Sequence, residues 1–95
     1  MKILALEREL PGTTAGQFQP LLKDEARCVW EMQQSGLMRE IYFGVESHNA
    51  VLIMECAEEI DARRALARLP LVKAGLIEFE LISLVPYDGF ARLFE

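Results

Sequence analysis

Between Gln17 and Gly36 the chain reads QFQPLLKDEARCVWEMQQSG, with apolar residues at helical spacing. At about 100° per residue, Phe18, Leu21, Leu22, Val29 and Met32 share one arc, with Cys28 at its edge. Lys23, Asp24, Arg27, Glu31 and Gln34 fall on the opposite, solvated side. Glu25 breaks the pattern, because it stands near the middle of the apolar arc, between Leu22 and Val29. A carboxylate there needs an arginine partner, a wet groove, or a role as an acid/base over a pocket.

The rest of the pattern alternates strands with a second helix. Lys2 to Glu9 is a strand whose Ile3, Leu4, Ala5 and Leu6 are apolar on both faces of the pleat. Leu10-Pro11-Gly12-Thr13-Thr14 releases it, and Thr14 with Gln17 forms a capping box at the helix start, or Gly16 is the cap. Pro20 belongs in the first turn, and Gly36 suits the left-handed position after Ser35. Leu37 to Val45 is a second strand with Leu37, Arg39, Ile41, Phe43 and Val45 on one face and Met38, Glu40, Tyr42 and Gly44 on the other. Glu46 to Asn49 turns into a third, almost wholly apolar strand from Ala50 to Cys56.

Glu58 to Leu69 is a second helix, with Ile60, Ala62, Leu66 and Leu69 inward and Glu59 paired to Arg63 outside. Pro70 ends it. A fourth strand runs from Leu76 to Val85, with Glu78 and Glu80 on the face of Ile82 and Leu84 as edge or interface charges.

The order βαββαβ predicts an α+β, ferredoxin-like fold, a four-stranded antiparallel sheet with both helices on one face. One domain spans residues 1–86, and 87–95 form an apolar tail. The uncovered sheet face would expose Ile, Leu and Val, so the expected cover is a second copy, sheet on sheet, with the tail at that interface.

Composition narrows the function. Over 95 residues, 52% are hydrophobic and the net charge is −5, which argues against a nucleic-acid or anionic-membrane partner. Cys28 and Cys56 lack metal or redox spacing and read as reduced core thiols of a cytoplasmic protein. No signal peptide or membrane-spanning run is expected, and one histidine with two scattered cysteines disfavours a metal or haem site. No nucleotide-binding glycine motif and no nucleophile elbow occurs, so no cofactor is expected.

That leaves individual side chains. His48, in the hairpin turn, is a solvated turn residue or one that orients a ligand. Tyr42 is a rim residue or a donor to a substrate oxygen. Arg39 pairs with Glu25, Glu40 or Glu78, or anchors a carboxylate substrate.

Several short segments together resemble the muconolactone Δ-isomerase family. They are Lys23-Asp24-Glu25, Met32 to Gly36 followed by Arg39, His48 in its hairpin, Leu69-Pro70-Leu71, and Ile77-Glu78-Phe79 before Pro86. The resemblance covers most of the chain from about Lys23 onward. It implies a dimeric α+β barrel, and cofactor-free proton transfer that shifts a double bond in a small unsaturated lactone during aromatic catabolism. It further implies Glu25 as the proton-transferring group, with Arg39 and His48 binding a small organic acid or lactone, while Tyr42 joins the substrate-binding residues only on the chemistry of its own phenol. The isomerases carry Trp and Arg where this chain has Tyr42 and Phe43, and their hairpin and tail differ. Two other readings stand beside this one: a non-catalytic small-molecule-binding or structural barrel, and a cofactor-independent monooxygenase-like relative.

Overall fold

A computed structural model describes all 95 residues. Four strands form one antiparallel sheet: β1 (Lys2–Glu9), β2 (Met38–Phe43), β3 (Ala50–Glu55) and β4 (Ile77–Leu84), in the order β2-β3-β1-β4. Between β1 and β2 lie α1 (Ala15–Phe18), a 3-10 turn (Gln19–Leu21) and α2 (Leu22–Gln34). Between β3 and β4 lie α3 (Glu59–Leu66) and α4 (Pro70–Lys73). The expected fold class is observed.

Local chemistry accounts for most element ends. Thr14 N–H donates to Gln17 Oε1 at 2.8 Å, closing the start of α1. Pro20 has no N–H for an α-helical bond, and the chain passes it in the 3-10 turn, so the expected single helix is divided. Gly36 closes α2 at φ +85°, a conformation that strains any residue with a Cβ. Glu58 caps α3 by donating its N–H to Asp61 Oδ2 at 3.1 Å, and Glu59 pairs with Arg63 as expected, also at 3.1 Å.

Two expectations fail here. Ile60 is 43% exposed, because the short helix turns Ala62, Ala65 and Leu66 inward instead. Pro70 does not simply end a helix; it occupies the first turn of α4, where its missing N–H costs nothing.

The strand register assigns the faces. Ile3 and Ala5 of β1 stand opposite Met54 and Leu52 of β3, and all four are buried beneath the helices. Glu7 and Glu9 continue that face, opposite Phe79 and Ile77 of β4. Leu4, Leu6, Val51, Ile53, Ile82 and Leu84 point to the other, open face, with Glu78 and Glu80 beside them as expected.

The interior divides into two parts. The larger joins the sheet to Met32, Ala62, Ala65, Leu66 and Leu69, with Cys28 and Val29 packed against it. The smaller is Leu71, Leu76 and Ile77, with Phe18 and Leu21 against it. Beyond β4 the tail coils through a 3-10 segment, Gly89–Phe94, with Tyr87, Phe90, Leu93 and Phe94 exposed. The chain measures 57 × 29 × 21 Å with a radius of gyration of 15.5 Å. A fully compacted chain of this length would have about 12–13 Å, so the tail stands away from the body.

Candidate functional site

A cleft of about 810 Å³ opens between α1–α2 and the helix-facing side of the sheet, where the two parts of the interior separate. The C-terminal half of α2 packs on the larger part through Cys28, Val29 and Met32. The segment before it leans on the smaller part through Phe18 and Leu21. Glu25 falls between these two anchorages and faces the cleft, which accounts for its place on the apolar arc.

Glu25 has no arginine partner. The ion pairs of the chain are Met1 ammonium–Glu55, Arg27–Asp24 and Arg63–Glu59. Instead Glu25 Oε1 accepts the N–H of Leu71 at 3.0 Å. Leu71 is the second residue of α4, so its amide has no carbonyl within its own helix. Burial pushes the Glu25 carboxyl above the usual carboxylate range; the Leu71 N–H pulls it back, and the charge of Glu7 pushes it up again.

Glu7 faces Glu25 from the sheet. Its Oε1 accepts the N–H of Ala50 at 2.8 Å, at the start of β3. Burial raises its pKa, the Ala50 N–H opposes that, Glu9 raises it further, and His48 lowers it. Glu9 lines the same cleft. The helical arc that marks Glu25 does not mark Glu7 or Glu9. Their signal is the two-residue period from Ile3 and Ala5, which sets both carboxylates on the buried side of β1.

His48 reaches the cleft through an unusual backbone. It has φ 59°, held in the hairpin by its own N–H to the Gly44 carbonyl at 3.0 Å and by Gly44 N–H to the Asn49 carbonyl at 2.9 Å. Its ring stacks on Phe43, with centroids 4.1 Å apart and planes 17° from parallel. Both rings line the cleft, as does Trp30, which no sequence motif marks.

Arg39 and Tyr42 lie elsewhere. The simple alternation expected along β2 is interrupted by a bulge: Met38 faces Met54, and the next pair is Glu40 with Ile53. The extra residue is Arg39, which leaves the face of Ile41 and Phe43. Its Nε donates to the Gly36 carbonyl, and its charge is felt by Glu55 on the outer side of the sheet. Tyr42 pairs with Val51 on that same side and donates its hydroxyl to Glu40 Oε1 at 2.6 Å. Neither lines the cleft, so of the four site residues expected, the structure brings Glu25 and His48 together.

The cleft therefore offers two carboxylates fixed by backbone amides on opposing walls, a third carboxylate, one imidazole and a mostly apolar, aromatic lining. Such an arrangement can move a proton on a small flat molecule. No three His, Cys, Asp or Glu side chains converge as a metal-binding group would, and no helix is long and apolar enough to cross a membrane.

No family model matches the sequence, and no curated protein matches it. The fold does match solved structures. A 5-chloro-2-hydroxyhydroquinone dehydrochlorinase from Burkholderia phenoliruptrix AC1100, in complex with 2,5-dihydroxybenzoquinone, superposes with a TM-score of 0.63 at 16% identity, over 94% of this chain and 98% of that one. Muconolactone isomerase superposes with a TM-score of 0.76 at 17% identity, over 93% of this chain and 92% of that one. The chain thus has the fold of muconolactone isomerase along nearly its whole length.

Proposed function

We propose that the protein is a cofactor-free proton-transfer enzyme that isomerises a small unsaturated lactone or related enolisable carbonyl compound. The observation that carries this is Glu25, a carboxylate without an ion pair, facing the cleft and oriented by the Leu71 amide. Burial raises its pKa, which makes it a stronger base once ionised. For a β,γ-unsaturated lactone, Glu25 takes the proton at the α carbon, and the electron pair delocalises through the double bond onto the carbonyl oxygen. Glu25 then returns the proton at the γ carbon, leaving the α,β-unsaturated isomer. His48, held over Phe43, is the donor best placed at the sheet side to carry the oxygen.

Both fold neighbours are, by name, enzymes that act on small molecules, and one was solved with a quinone. That supports a small organic molecule as the ligand. The open face supports self-association: six apolar side chains of three strands lie there, with Arg39 and Tyr42 beside them. A second copy, laid sheet to sheet and extended by the tail, is the proposed cover.

The test is isomerisation of α-angelica lactone, followed by ultraviolet absorbance and by deuterium uptake from D2O. Glu25→Gln should lower turnover by roughly 10²–10⁴. Unaltered turnover in a folded Glu25→Gln protein would remove Glu25 from the reaction. A wild-type chain without any exchange would favour a binding protein.

A further inference from the structure

The charged groups around the cleft are one-sided. Glu7, Glu9 and Glu25 line it, while no lysine or arginine does, and His48 is the sole side chain there that can carry positive charge. Strand parity turns Arg8 to the open face, opposite Glu78, and the bulge in β2 turns Arg39 to that outer side as well. The Ala50 amide, at 2.8 Å, holds Glu7 on the wall of the cleft. The remaining lining is largely hydrophobic, with Phe18, Phe43 and Phe79 among it and Trp30 at its edge.

We propose that the cleft takes an uncharged, ring-shaped ligand and discriminates against its carboxylated counterpart, with Glu7 as the residue that sets the discrimination. The proposal rests on the cleft being the ligand site, and it deepens the reaction proposed above. With a neutral substrate the site holds only the charges of its own side chains, and as Glu25 gains the proton the negative charge passes to the substrate oxygen. A substrate that brought its own carboxylate would add another negative charge among three glutamates, in surroundings partly screened from water.

The experiment compares resorcinol with 3,5-dihydroxybenzoate, the same ring without and with a carboxylate, at pH 7.5 and low ionic strength. Calorimetry gives the affinities, and emission of Trp30, the only tryptophan, reports occupancy of the cleft. Resorcinol should bind at least about tenfold more tightly than the carboxylate, and added salt should narrow the gap. Glu7→Gln keeps an acceptor for the Ala50 amide and should reduce the ratio several-fold by admitting the anion. Glu9→Gln, whose carboxylate makes no hydrogen bond within the chain, should shift the ratio in the same direction without risk to folding. Equal or tighter binding of the carboxylate, a ratio unmoved in both variants, or failure of both rings to bind at millimolar concentration would each overturn the proposal. None of these readings depends on turnover. A failed isomerisation assay with intact discrimination would therefore remove the reaction and leave the site.

Discussion

Glu25 does two things that different substitutions separate. Its carboxylate is the only hydrogen-bond partner of the Leu71 amide, at 3.0 Å, and Leu71 is buried. Glu25→Ala removes the acceptor and strands that amide, at a cost of about 1–3 kcal/mol. For a domain of this size, each ~1 kcal/mol moves the melting temperature by about 4–8 °C, so Glu25→Ala should melt roughly 5–20 °C lower. Glu25→Gln retains an oxygen for the amide and removes only the charge. Because burial raises the pKa of Glu25, the folded state binds its proton more tightly than the unfolded chain does. Ionisation of Glu25 thus works against folding. That penalty is absent below the unfolded value, near about 4, and grows as the pH rises toward the folded value, after which it is constant. The melting temperature of Glu25→Gln relative to wild type should accordingly increase from pH 4 to pH 8. Differential scanning fluorimetry of the three proteins across that range is sufficient. Equal losses in the Ala and Gln variants at neutral pH would show that the charge, not the acceptor, holds α4. A Gln variant that gains relative stability toward acid would contradict the buried setting of the carboxylate.

On the open face, Ile53→Glu should separate the proposed dimer. Burying an unpaired carboxylate costs several kcal/mol, which raises the dissociation constant at least ~100-fold, as analytical ultracentrifugation would show. A wild-type protein that sediments as a monomer at micromolar concentration, with a melting temperature independent of concentration, would remove the sheet-on-sheet reading. Both thiols should label slowly at pH 8 and quickly in denaturant, since burial raises the pKa of Cys28 and of Cys56, and Glu25 adds to the effect at Cys28. Gly36→Ala should lose about 1–2 kcal/mol in chemical denaturation, because its φ of +85° suits glycine alone.

What could be read from the sequence was local. The bounds of β1, the Thr14–Gln17 closure, the Glu59–Arg63 pair and the left-handed Gly36 each depend on residues within one turn or one strand. The exposure of Glu25 to a cleft was also legible, because a carboxylate amid an apolar arc must meet either a cation or an opening, and both can be named in advance. Arg39 was not legible in this way. One inserted residue reverses every side chain before or after it, and the bulge is visible only in the pairing of β2 with β3. Glu7 was legible but hidden: a strand apolar on both sides up to Leu6 invites no question about parity, yet parity alone places Glu7 under the helices. The Leu71 amide that holds Glu25 is 46 residues away in sequence, and no local rule could have supplied it.

The cleft and the open face are two sides of one pattern of burial. Only 15 of 95 residues are buried, and none of them is polar or charged. Closing the cleft would have joined the two parts of the interior and raised that number, but it would also have sealed Glu7 and Glu25 away from any ligand. The apolar surface forgone beneath the helices has a counterpart on the other side of the same strands, where Leu4 and Leu6 alternate with Ile3, Ala5 and Glu7. Since β1 is central and pairs with both β3 and β4, anything that fixes its outer face also fixes the inner one. Pairing through the open face would therefore do more than add stability. It would hold in place the strand that carries Glu7 along the wall of the cleft opposite Glu25.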